Sequence, residues 1–147
     1  MKNTTKTMRI LVIVAAFAIV SLTAANAQTT GTFDIPFQFV AGQTVLPAGE
    51  YKVKVETGFA GMQFVSTDGK AALVLFAVPK QAKEAPATGR LEFRRNGDTY
   101  VLAAVWVRQN SMGLQLPAKQ VERELAKAAE GSNVIAYVNE IAPPRAQ

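Results

Sequence analysis

The chain contains no histidine and no cysteine in its 147 residues. Without them there is no Ser-His or Cys-His nucleophile, no imidazole general base and no ordinary zinc or copper site. No disulfide can staple the fold, and no thiol is present to carry a lipid anchor. A D-x-D-x-D-G calcium loop is missing, and so is a glycine-rich phosphate loop between a strand and a helix. No cofactor is therefore expected. The only catalytic chemistry left is a carboxylate pair or a lysine base.

Long apolar runs are also lacking. The longest stretch of that kind, Ile10 to Val20, has eleven residues, against roughly 20 for a bilayer-spanning helix. Lys2, Lys6 and Arg9 precede it, and Ala25-Asn26-Ala27 follows it. A basic start, a short apolar run and a small-x-small ending make a secretory signal. Residues 1–27 are therefore expected to be removed after Ala27, and the product exported to the periplasm or beyond the cell. No transmembrane segment is expected in the mature chain.

Excess charge goes with the signal. The full chain carries 16 basic and 11 acidic residues, a net +5. Removing Lys2, Lys6 and Arg9 leaves 13 against 11, a net +2. The basic balance is thus largely a targeting feature, and no nucleic-acid partner is expected. About 120 residues remain, enough for one domain around a single core.

Period-two alternation dominates what remains. Residues 28–32 read as a disordered polar leader, 33–141 as a single domain and 142–147 as a tail. In FDIPFQFV (33–40), Phe33, Ile35, Phe37 and Phe39 share one face. Pro36 places that strand at an edge, or turns the proline to an unpaired side. Leu46-Pro47-Ala48-Gly49 suits a turn. In YKVKVE (51–56), Tyr51, Val53 and Val55 point inward. Met62 to Ser66 is a short strand before the Asp68-Gly69 hairpin signal. Ala71 to Val78 is apolar on both faces and predicts a central strand covered on both sides. Residues 79–89 read as a long connection.

Arg90 to Ala129 carries the strongest local signals. LEFRRNGDTYVLAAVWV predicts a hairpin. A type I′ turn centred on Asn96-Gly97 sets Phe93 against Tyr100 and Leu91 against Leu102. That register places Leu91, Phe93, Tyr100, Leu102, Ala104 and Trp106 on one face. A three-residue loop would slip it by one, and the apolar run from Tyr100 to Val107 penalises the slip only weakly. Val121, Leu125, Ala128 and Ala129 form a helical stripe, and a helix this short must dock to persist. Gly131 is the expected stop, and residues 133–141 form a last strand.

About seven strands and one helix before the last strand define a mainly β fold. The expectation is a small antiparallel meander barrel, or a two-sheet sandwich. The barrel is preferred because the last strand could pair with the first and remove both edges.

FDIPFQFV, LPAGEYKV, GDTYVLAAVWV and GLQLPAKQVEREL occur in this order across nearly the whole mature chain. In this the chain resembles a family of small exported bacterial β-rich proteins of unknown function, found in many copies per genome. The resemblance implies the β-rich fold and the exported destination, and no activity, ligand or catalytic residue.

Two sets of residues are candidates for a site. Glu92, Arg94, Arg95, Asp98, Glu122, Arg123 and Glu124 form a polar cluster if the helix meets the hairpin. Two carboxylates roughly 5 to 9 Å apart could hydrolyse a glycoside, whereas a solvated charged face needs no function. Phe37, Phe39, Phe64, Phe76, Phe93, Tyr100 and Trp106 form an apolar interior that is either a packed core or a cavity for a small apolar ligand. The expected function is non-enzymatic binding, with a small apolar molecule or a cell-envelope protein as partner. A carrier or a carboxylate-dependent hydrolase is the alternative. Intact-mass analysis of protein recovered outside the cytoplasm should give a chain beginning at Gln28; a chain retaining Met1 would overturn the assignment of the signal.

Overall fold

The computed structural model describes residues 28–128 and 131–141, without the side chains of residues 28–30 and 57. The expected signal (1–27), the tail (142–147) and Ala129 of the helical stripe lie outside the described residues.

The strands form two sheets, so the fold is a sandwich and not the preferred closed barrel. In the first sheet the order is β1-β4-β5-β6, all antiparallel: β1 (Gln28–Ile35), β4 (Gly49–Glu56), β5 (Gly61–Ser66) and β6 (Ala72–Phe76). The second sheet has the order β11-β8-β9-β10-β7: β11 (Val134–Asn139), β8 (Arg90–Asn96), β9 (Thr99–Trp106), β10 (Met112–Gln115) and β7 (Val78–Gln81). A short β2 (Phe39–Ala41) lies parallel to β9 and carries β3 (Thr44–Leu46) at its side. The helix α1 (Ala118–Ala126) precedes β11.

Two corners bring the sheets together. At one, the chain passes from β6 directly into β7 at Ala77, whose N–H bonds to the Ala60 carbonyl at 2.8 Å. At the other, the expected meeting of first and last strands is reduced to a single bridge, Phe33 to Glu140, plus the Ile141 N–H on the Thr32 carbonyl at 2.8 Å. β11 spends its ladder on β8 instead, from Val134–Arg95 to Asn139–Arg90.

Proline and polarity were misleading at the N-terminal side. β1 begins at Gln28, so residues 28–32 are strand and not a disordered leader. Their backbone pairs with Val53 to Glu56 and Lys52 whatever their side chains are. The strand then stops before Pro36, which has no N–H to give a ladder. Phe37 and Phe39 continue the apolar face only after the break. Tyr51, Val53 and Val55 are buried with lysines outward, as the alternation requires.

The core between the sheets is built around Phe39. Its ring lies 5.6 Å from Tyr51 and 6.3 Å from Phe64 in the first sheet, and 5.4 Å from Phe93 in the second. All four rings are essentially buried. Ile35, Met62, Leu91, Leu102 and Leu114 complete the packing.

The β8–β9 hairpin differs from both expected registers. Asn96 pairs with Thr99, so Gly97 and Asp98 are the central residues, with Gly97 at φ 59°. Glycine at the first central position with positive φ is the type II′ solution, not I′. Phe93 therefore faces Leu102, but a bulge follows: Glu92 pairs with Ala104, and Ala103 is the extra residue. Because side chains alternate, one inserted residue exchanges the faces beyond it. Val105 joins the core opposite Leu91, while Ala104 and Trp106 turn to the outer face with Glu92 and Arg90. The Ala103 carbonyl accepts the Leu116 N–H at 2.9 Å, so the bulge also anchors the segment leading to the helix.

Helix α1 docks on β8 and β9 through Val121 and Leu125. Its last turn is held by Asn96, whose Nδ2 donates to the Leu125 carbonyl at 3.1 Å. It ends at Ala126, before the expected glycine stop. Among the described residues, no helix is long and apolar enough to cross a membrane.

Phe39→Ala should cost about 3–5 kcal/mol, the range for removing a fully buried phenylalanine. Chemical denaturation of both proteins measures this directly; a loss below about 1 kcal/mol would mean the Phe39 ring does not join the two sheets.

Candidate binding surface

The polar cluster does not assemble as one site. Glu92 accepts a hydrogen bond from Trp106 Nε1 at 3.2 Å on the outer face of the second sheet. Arg95 and Asp98 sit at the hairpin tip, 4.0 Å apart, with Asp98 fully in water. Arg95 also donates through Nε to the Gly97 carbonyl at 2.7 Å and lies 5.3 Å from the Tyr100 ring. Glu124 is buried against the sheet, its carboxylate held by Lys127 at 2.8 Å. Glu122 and Arg123 are exposed, Arg94 is half-buried opposite Val101, and none of the three forms an ion pair among the described residues. The carboxylates thus lie at separate places, on the helix for a simple reason: Glu122 and Glu124 are two residues apart and cannot share a helix face.

The apolar interior set divides three ways. Phe39, Phe64 and Phe93 are in the core. Phe37 and Tyr100 stack at 3.7 Å near its end, with Phe37 edge-on to Phe93 at 5.1 Å. Phe76 is exposed and is not an interior residue. Trp106 is buried, but on the outer face of the second sheet because of the Ala103 bulge and not between the sheets, covered by Arg90 at 5.8 Å and Lys80 at 5.5 Å from its ring. Gly113 makes room for it: a Cβ there would fall 2.6 Å from the Trp106 ring. Arg90 also stands 5.1 Å over Tyr137, and its Nε is buried without a hydrogen-bond acceptor. The two ring faces supply the remaining electrostatic partner for that guanidinium.

Between the sheets, beside Phe33, Val53 and Val105, a space of about 20 Å³ remains, room for roughly one water. The same region contains the most enclosed ion pair. Glu140 has little exposure and receives Arg108 at 3.1 Å and the Gly89 N–H at 3.0 Å. It reaches that position through a slot between Gly31 and Gly89, where a Cβ would come within 3.2 Å and 2.7 Å of its carboxyl group. This pair fastens the corner where β1 meets β11, a structural role.

A larger surface cleft, about 370 Å³, opens between the 46–50 turn and the 66–71 turn. Tyr51 donates to the Pro47 carbonyl at 2.7 Å on one side. On the other, Asp68 accepts from Ser66 Oγ at 2.7 Å and from the Lys70 N–H at 3.0 Å. Those bonds, led by the one from Lys70, hold the Asp68 carboxyl below the ordinary carboxylate range, while burial and then the charge of Asp68 push the Tyr51 phenol up. The sequence marked the Asp68-Gly69 turn, but nothing in it marked a cleft beside the turn. Among the described residues, no three of Asp and Glu gather as a metal site.

The surface that departs furthest from expectation is β6. Ala71 to Val78 is not a central strand covered on both sides: β6 is the edge of the first sheet and β7 the edge of the second. Val74, Phe76 and Val78 are exposed by 59%, 77% and 50%, and Phe59, in the turn beside Gly61, by 77%. Gly61 pairs with Phe76, which puts Phe59 at the same end of the strand. Leu73 and Leu75 face inward, half-buried against the core. Apolarity on both faces recorded a core on one side and an uncovered row on the other. Residues 79–81, expected to open a long connection, belong with Val78 to β7, which pairs Val78 to Gln81 with β10.

No protein-family model matches the chain, no curated protein matches it, and no solved structure matches its fold. The resemblance to exported bacterial β-rich proteins therefore rests on the ordered motifs alone.

Asp68 gives the cleft a pH signature. Its native pKa is depressed, so the unfolded chain binds the proton more readily, and this contribution to stability is present above the unfolded pKa. It is lost as pH falls through the native pKa. Thermal melts between about pH 6 and pH 2 should therefore show a steeper acid loss for the wild type than for Asp68→Asn; parallel curves would mean the turn hydrogen bonds carry no linkage.

Proposed function

We propose that the protein is an exported, non-enzymatic binding module that docks another polypeptide on the β6–β7 corner. The observation carrying this reading is the uncovered row of Val74, Phe76 and Val78, with Phe59 beside it. A contiguous apolar patch on a small domain is costly in water and marks an interaction site more often than a scattered surface residue does. The patch also lies on a strand edge, so a partner gains backbone hydrogen bonds as well as apolar cover.

The alternatives draw less support. The space between the sheets is occupied by Phe39, Tyr51, Phe64 and Phe93, where a carried apolar molecule would sit. The carboxylates that a hydrolase would need lie apart from one another. The exported destination rests on the basic, apolar and small-x-small segments of residues 1–27.

A photo-crosslinking residue placed at position 76 in cells should yield a defined adduct with a polypeptide, and one placed at Lys52 of the same sheet should not. Failure to crosslink at 76, or equal crosslinking at both positions, would overturn the docking reading. Phe76→Ser should keep the folded state within about 0.5 kcal/mol of wild type, as expected for an exposed side chain.

A further inference from the structure

We infer that the polypeptide docked on β6 is a second copy of this chain, joined edge to edge about a two-fold axis at Val74. This rests on the docking role of the corner and specifies its partner.

The backbone of β6 shows which groups are available. The Ala71 carbonyl accepts the Ser66 N–H, and the Ala77 N–H reaches the Ala60 carbonyl, both at 2.8 Å. Odd-numbered residues thus point their backbone groups at β5. Antiparallel geometry then turns those of Ala72, Val74 and Phe76 to the open edge. The same three residues carry the exposed side chains. One residue set therefore presents both the hydrogen bonds and the apolar surface.

Two other edges carry guards: β7 has Pro79 and Lys80, and β11 is tied to β1 at its Glu140 end by the Phe33–Glu140 bridge, fastened by Arg108. β3 and the Val134–Val138 part of β11 carry no charge or proline either. Between Ala71 and Val78 there is no charge, no proline and no bulge, the devices that keep an edge from pairing. An edge with none of these is a template for another strand.

Self-pairing fits the side chains. With Val74 on the axis, Val74 faces its own copy, and Ala72 of each chain faces Phe76 of the other. Each of these pairs exchanges both backbone bonds, and each large ring lies beside a methyl group. A two-fold arrangement uses the same patch on both copies and closes after two. Covering the strand edge and the exposed Val74 and Phe76 side chains on both copies removes on the order of 1,000 Å² of surface, the lower end for specific interfaces. The dimer should accordingly be reversible and of micromolar strength.

Sedimentation equilibrium of the chain purified without residues 1–27 tests this. The expected result is a monomer–dimer equilibrium that Val74→Lys and Phe76→Lys each weaken at least tenfold, with unchanged circular dichroism and melting. Because the chain has no cysteine, Val74→Cys offers one thiol, and a short bismaleimide should join two copies through it. Lys52→Cys should not crosslink. A wild type that stays monomeric to about 1 mM, or a dimer indifferent to both lysine variants, would overturn the inference. The adduct at position 76 separates the two proposals. A mass of two copies supports both; another polypeptide leaves the docking reading standing and removes the second copy; no adduct removes both.

Discussion

The fold depends on one ring being in reach of both sheets. Phe39 belongs to a strand of three residues, too short to be held by its own ladder, yet its side chain contacts rings from β4, β5 and β8. Without cysteine, no covalent link can substitute for that contact. Aromatic pairs of this kind contribute beyond the area they bury, at about 0.5–1.5 kcal/mol each. The rest of the core is aliphatic filling around this aromatic centre, and the placement of β2 parallel to β9 serves to hold the ring in position.

Legibility in the sequence followed how local the determining physics was. Tyr51, Val53 and Val55 could be assigned inward because a period of two is written in the residues themselves. The helix stripe at Val121 and Leu125 was readable for the same reason. Trp106 was not, because the extra residue at Ala103 exchanges the faces of β9 beyond it, and no local pattern records that bulge. Phe76 was misplaced differently. Apolarity on both faces of a strand means that both faces avoid water somewhere, and the sequence does not say whether the cover lies in the same molecule. The polar cluster failed on geometry: its residues are near in sequence but diverge along a helix and at a hairpin tip.

That contrast inverts the usual signs of a binding site. Charge is concentrated around the hairpin and helix, yet each ionic group there has a local structural partner or a solvated position. The surface proposed for docking lies where charge is missing. β6 has neither the proline nor the lysine that guards β7, and an edge left open in that way is exposed to pairing or to aggregation. Trp106 illustrates the opposite: a large aromatic on an outer face, made unavailable by Arg90, Lys80 and the absence of a side chain at Gly113.

The corner at Phe33 and Glu140 has a consequence for how the molecule comes into being. It joins residues more than a hundred positions apart, and the β8–β11 ladder beside it also waits for the final strand. A chain that emerges from its N-terminus can assemble the β4–β5–β6 meander early, because those contacts are between neighbours. β1 can pair with β4 as well, but its bridge to the second sheet cannot form until Glu140 has appeared. Such long-range closure slows folding, so the two sheets lock together at this corner only as a late step.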